Sequence, residues 1–166
     1  MTPSLRRACL ALAAATAGPA TADDASLRNG FGDPYFRISS AIADCPTAAG
    51  PFATEAEVRT QAHHRSERGT ACWLAGDCER PNSYAYDAGI AAAFRDALAR
   101  RHPFRDSSLW VTVQGRIVTI EGCVRHARTA GELEAFAKAL PKVQQAIAIV
   151  RVGPGSRVPY RVMPTR

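Results

Sequence analysis

Residues 109–120 hold the pattern that most limits what this chain can fold into. Leu109-Trp110-Val111-Thr112-Val113 and Ile117-Val118-Thr119-Ile120 are dense in β-branched side chains, and only Gln114-Gly115-Arg116 separates them. Such side chains favour extended backbone, and a glycine between two short runs supplies a tight turn, so a β-hairpin is expected. Amphipathic helices flank it. From Asp87, Ile90, Phe94 and Leu98 recur at helical spacing while Arg95, Asp96 and Ala99 point away, until His102-Pro103 stops the helix. After the hairpin, Thr129-Ala130-Gly131-Glu132 reads as a capping box ahead of Leu133, Phe136, Ala137 and Leu140. Ala146 to Val152 forms a last strand. The order predicts an α+β fold: a small antiparallel or mixed three-stranded sheet with two helices on one face (αββαβ).

Alternation along the strands divides this sheet into two faces. Val111, Val113, Val118, Ile120, Val150 and Val152 are assigned to the helices, which leaves Trp110, Thr112, Ile117, Thr119, Cys123, Ile147 and Ile149 on the other side. That second face is too apolar to stay wet. The segment from Phe31 to Trp73 is therefore expected to cover it, with Cys123 bonded to a cysteine of the cover.

The N-terminal part explains why cysteines are available for this. Arg6 and Arg7 precede the apolar run from Ala8 to Ala15, and Ala20-Thr21-Ala22 supplies the small residues a signal peptidase needs. Residues 1–22 read as a cleavable secretory signal, with the mature chain in the periplasm. No apolar stretch approaches the ~20 residues of a membrane-spanning helix. Removing Arg6, Arg7 and Cys9 leaves 19 basic and 15 acidic residues, a mature charge of +4. It also leaves an even set of cysteines, Cys45, Cys72, Cys78 and Cys123, and two disulfides are the natural expectation in an oxidising compartment. Spacing favours Cys72–Cys78 with Cys45–Cys123, for which loop entropy gives roughly 2 and roughly 4 kcal/mol. Cys45–Cys72 with Cys78–Cys123 is nearly as compatible.

Residues 23–82 form a cysteine-containing, partly helical extension. Its first part, rich in Gly, Pro and Ala, reads as an irregular strap with one helical turn around residues 40–43, and Thr54-Glu55-Ala56-Glu57 is a capping box opening a helix from Glu55 to about Arg68. Residues 83–153 hold the helix-hairpin-helix-strand unit. Gly153-Pro154-Gly155 then releases residues 154–166 as a flexible basic tail.

The run Val111-Thr112-Val113-Gln114-Gly115-Arg116-Ile117-Val118-Thr119-Ile120-Glu121-Gly122-Cys123-Val124 resembles the strand-glycine-strand-glycine-valine signature of the BON domain family. Leu133, Ala137, Val143, Val150 and Val152 fall where that family places its second helix and third strand. The resemblance covers residues 87–152. The family usually has a glycine where this chain has Lys142. What the resemblance implies is a small α+β binding module of the bacterial envelope, osmotic-stress proteins among its relatives, that contacts phospholipid surfaces or envelope components and carries no catalytic residues.

The residues themselves point to no enzyme. His63, His64, Cys72, Cys78 and His102 lack the tight spacing of common zinc sites, an even cysteine count leaves no thiolate nucleophile, and no spacing singles out Asp77, Glu79, Asp87 or Glu121 as an acid/base pair. No metal and no cofactor are expected, and nothing marks nucleic acid as a partner. Arg65, Arg68, Arg151, Arg157, Arg161 and Arg166 are candidates for anionic headgroups, at on the order of 1 kcal/mol each near such a surface, or are scattered solubilising charges. Trp73 and Trp110 read as core or lid residues. The alternative function is a periplasmic scaffold that docks an envelope protein through the face holding Trp110, Ile147 and Ile149.

Overall fold

The structure is a computed structural model and describes residues 26–68 and 70–164. The secretory signal read in residues 1–22, and Cys9 with it, lie outside the described residues. The fold is α+β, built on a four-stranded mixed sheet of order β1-β2-β3-β4. The strands are β1 (Tyr35–Ser40), β2 (Ser108–Gln114), β3 (Ile117–Val124) and β4 (Gln145–Val152). The β2–β3 hairpin is antiparallel, with Val111 opposite Ile120, and β4 lies parallel to β3, with Thr119 opposite Ile147.

Local chemistry accounts for the hairpin. Gly115 and Arg116 have φ of 58° and 68°, the paired positive angles of a turn whose twist matches its flanking strands. The buried carboxylate of Asp87 accepts from both turn amides, Gly115 N at 2.6 Å and Arg116 N at 2.8 Å. Gly122 has the other essential glycine position, since a Cβ there would sit 2.1 Å from the Ser108 carbonyl oxygen on β2.

Helix α3 (Asp87–Arg100) and helix α4 (Thr129–Lys138) pack one face of the sheet. Ile90, Phe94, Leu98, Leu133 and Ala137 meet Val111, Val113, Val118 and Ile120 in one buried cluster. Each fully buried large apolar side chain contributes roughly 1.5–3 kcal/mol. Phe136 joins Phe94 and Phe104 edge to face, at centroid distances of 5.3 and 5.4 Å.

Several expectations are corrected. The sheet has four strands because Tyr35–Ser40 pairs antiparallel with β2, with Phe36 and Ile38 facing the helices. This strand occupies the part read as irregular, and no helical turn follows at 40–43. A third long helix, α1 (Glu55–Glu67), starts from the Thr54 capping box as expected. The second capping box does not form: Arg128 is the N-cap of α4 without a side-chain cap bond, and Glu132 pairs with Arg128 at 3.5 Å. Val152 is exposed at the end of the edge strand.

The second sheet face is covered from both chain ends. Cys45 and Cys123 are disulfide-bonded, with Cα atoms 5.7 Å apart, and Ala48 and Tyr160 close over Trp110. Residues 158–163 do not hang free as a flexible tail. Ala49 N donates to Arg161 O at 2.8 Å and Met163 N to Thr47 O at 2.8 Å, which builds a short antiparallel bridge. Val158 and Tyr160 pack in the same cluster as Trp110, Ala48 and Cys45.

Candidate functional site

The sheet cover is uneven, and its gap defines the site. Over β2 and the near half of β3 it is tight: Tyr35 donates its hydroxyl to Ala48 O at 2.6 Å, and Tyr160 donates to Pro46 O at 2.8 Å. The Tyr35 hydroxyl is pushed up to about 12, first by burial and then by the nearby Glu121 carboxylate, so it stays a donor. Burial also raises the Glu121 carboxyl and the Tyr160 hydroxyl above their ordinary values. Towards the start of β3 the cover passes to α1, which stands off the sheet. A groove of about 300 Å³ opens there, lined by Gln61, His64, Arg65 and Arg68 from the α1 side, by Ile117, Thr119 and Ile147 from the sheet, and by Tyr84 and Gln114.

Arg65 anchors this arrangement. Its guanidinium donates to both carboxylate oxygens of Asp33, at 2.7 and 2.5 Å, and lies over the rings of Phe31 and Tyr84 at 3.8 and 4.4 Å. Gln114 adds a third bond to the same carboxylate at 2.6 Å. Arg68 differs: among the described residues it has no ion-pair partner. Its side chain lies beside Gly115, where a Cβ would come within 3.2 Å of Arg68 Nε.

Beyond Arg68 the short helix α2 (Thr70–Leu74) runs into a loop closed by the Cys72–Cys78 disulfide, whose Cα atoms are 5.4 Å apart. Trp73 is 47% exposed and Leu74 83% exposed on this loop. The loop base is held from several sides: Lys142 pairs with Glu79 at 2.8 Å, Arg80 N donates to the Tyr86 hydroxyl at 2.9 Å, and Arg116 lies against Cys78 Sγ. The Lys142 pairing draws the Glu79 carboxyl below its ordinary range.

The residues singled out from sequence scatter accordingly. Arg65, Arg68 and Ile147 meet in the groove. Trp110 is only 6% exposed under the cover and Ile149 packs in the same cluster, so neither offers a free docking surface. Arg151 donates to Asp44 O at 2.7 Å, Arg161 pairs with Glu57 at 3.4 Å and binds Phe52 O, and Arg157 is exposed. Arg166 lies outside the described residues. The cysteines join as Cys45–Cys123 and Cys72–Cys78, the first of the two open pairings.

Sequence reading placed Ile117 and Thr119 beside Ile147 on this sheet face, but it missed Gln61, Tyr84 and Gln114 as groove residues and set Trp73 in the core or a lid. The signal for Trp73 was in the spacing: a loop closed over a sequence separation of 6 has no interior in which to bury an indole. Comparison with protein-family models, curated proteins and solved structures finds no match to this chain.

Proposed function

We propose that this is a secreted, periplasmic binding module of BON-like architecture that contacts anionic phospholipid surfaces in maintenance of the envelope. The observation that carries the reading is the exposed Trp73–Leu74 step, displayed on a disulfide-closed loop shortly after Arg68, which has no ion-pair partner among the described residues. Indole rings are favoured at the headgroup level of membranes, and burying a leucine side chain there is worth roughly 1.5–3 kcal/mol. Arg68 and Arg80, which flank this loop in sequence, are exposed and add on the order of 1 kcal/mol each near anionic headgroups. The cross-link fixes the loop before contact, so little ordering cost opposes binding. Two cysteine pairs at bonding distance support an oxidising compartment. The reading assigns no catalytic residue and no cofactor.

Vesicle flotation tests it. The protein is expected to float with vesicles rich in phosphatidylglycerol at low salt, less so at high salt, and not with purely zwitterionic vesicles. Failure to float at any salt, with capture of a single envelope protein instead, would favour the scaffold reading.

A further inference from the structure

The α1 face over the groove carries the wrong chemistry for simple packing. Gln61, His64, Arg65 and Arg68 stand at i, i+3, i+4 and i+7, the spacing that places side chains on one side of a helix. A helix covering a sheet normally puts apolar residues at those positions. Here polar and cationic side chains look across at Ile117, Thr119 and Ile147, which are half-buried and line the same space. The helix accordingly buries only Val58. Water in such a groove wets apolar floor on one side and meets fixed cationic charge on the other.

We infer that this groove binds one molecule of a single-chain anionic amphiphile, its alkyl segment on Ile117 and Ile147 and its acidic group at Arg68. Charge fixes the sign of the ligand. No carboxylate residue lines the groove, the Arg65 charge is already matched by Asp33, and the Arg68 charge is not matched among the described residues. His64, Gln61 and Gln114 add polar groups along the same rim. The space of about 300 Å³, open to solvent along one side, suits one short alkyl chain with its headgroup. The groove shares Arg68 with the lipid-contact reading but includes neither Trp73 nor Leu74, and binding in it does not require bilayer docking.

The test is calorimetric titration with sodium decanoate below its micelle concentration, alongside methyl NMR of isoleucine-labelled protein. Saturable one-to-one binding is expected, with the methyl signals of Ile117 and Ile147 shifting and those of Ile42 and Ile90 unmoved. Arg68→Glu, at an exposed position, should weaken binding at least tenfold while leaving the melting temperature in place. Trp73→Ser/Leu74→Ser, which removes the apolar step, should leave decanoate affinity within twofold. Decyltrimethylammonium and inorganic phosphate should not bind. Absence of saturable decanoate binding, equal binding by the cationic amphiphile or by phosphate, or unchanged affinity in Arg68→Glu would each overturn the assignment.

Discussion

Arg65 and Asp33 form a two-pronged ion pair that ties α1 to the turn before β1, and both side chains are nearly buried, at 12% and 5% exposure. Removing one partner leaves the other charge stranded, which in buried pairs costs about 3 kcal/mol or more. Asp33→Ala should lower unfolding free energy by about 3 kcal/mol, and the double variant Asp33→Ala/Arg65→Met should recover part of the loss. Urea denaturation measures both. A loss below about 1 kcal/mol for Asp33→Ala would show that α1 is held elsewhere.

The C-terminal strap should behave as part of the core. Tyr160 is buried against Trp110 and Ala48, so Tyr160→Ala is expected to cost about 3 kcal/mol, as for other large-to-small changes at buried aromatic sites. Tyr160→Phe keeps the ring packing and loses the bond to Pro46 O, about 1 kcal/mol, together with the weak hydroxyl contacts to Cys45 and Cys123 Sγ. Equal stability of all three proteins would mean that residues 158–163 do not cover the sheet in solution.

Lys142 has φ of 67°, a left-handed conformation that costs a non-glycine residue roughly 1–2 kcal/mol. Glycine there relieves that cost but adds ~0.4–1 kcal/mol of unfolded-chain entropy. Lys142→Gly should therefore stabilise the protein by about 0.5 kcal/mol even though it removes the exposed pair with Glu79. Thermal melting decides; a fall in stability would show that the pair matters more than the backbone angle.

Burial raises the carboxyls of Asp87 and Glu121. The folded protein then holds these protons more tightly than the unfolded chain. Their stabilising effect is fully present below the usual carboxylate range and is lost as pH rises through the raised folded values. Glu121→Gln cannot ionise, so its stability relative to the unaltered protein should improve as pH rises from the usual carboxylate range through the raised folded value and level off above it. Denaturation curves across that range give the difference directly, and a constant or declining difference would contradict burial of this carboxylate.

The hairpin and both core helices were legible because each has an uninterrupted period: β-branched alternation over 109–120, and helical spacing of Ile90, Phe94 and Leu98. β1 was not, although Tyr35, Phe36, Arg37 and Ile38 do alternate between the two faces. Six residues beside Asp33-Pro34 are too short for the pattern to outweigh the turn chemistry around them. The strap was hidden the same way, since its prolines read as release from structure while Val158 and Tyr160 carried the burial. Of the site, the arginines and Ile147 were visible as residue types. Their convergence was not, because it depends on how far α1 stands off β3 and β4, and no local pattern encodes that distance.

The account rests most on Trp73 entering a lipid interface, and the chain has only Trp73 and Trp110 as indole reporters. In a Trp110→Phe variant, whose buried position keeps an aromatic ring, all indole emission comes from Trp73. Adding phosphatidylglycerol vesicles should shift that emission to shorter wavelength and make it quenchable by lipids brominated near the headgroup. Emission that stays at its aqueous wavelength at saturating lipid would contradict the account.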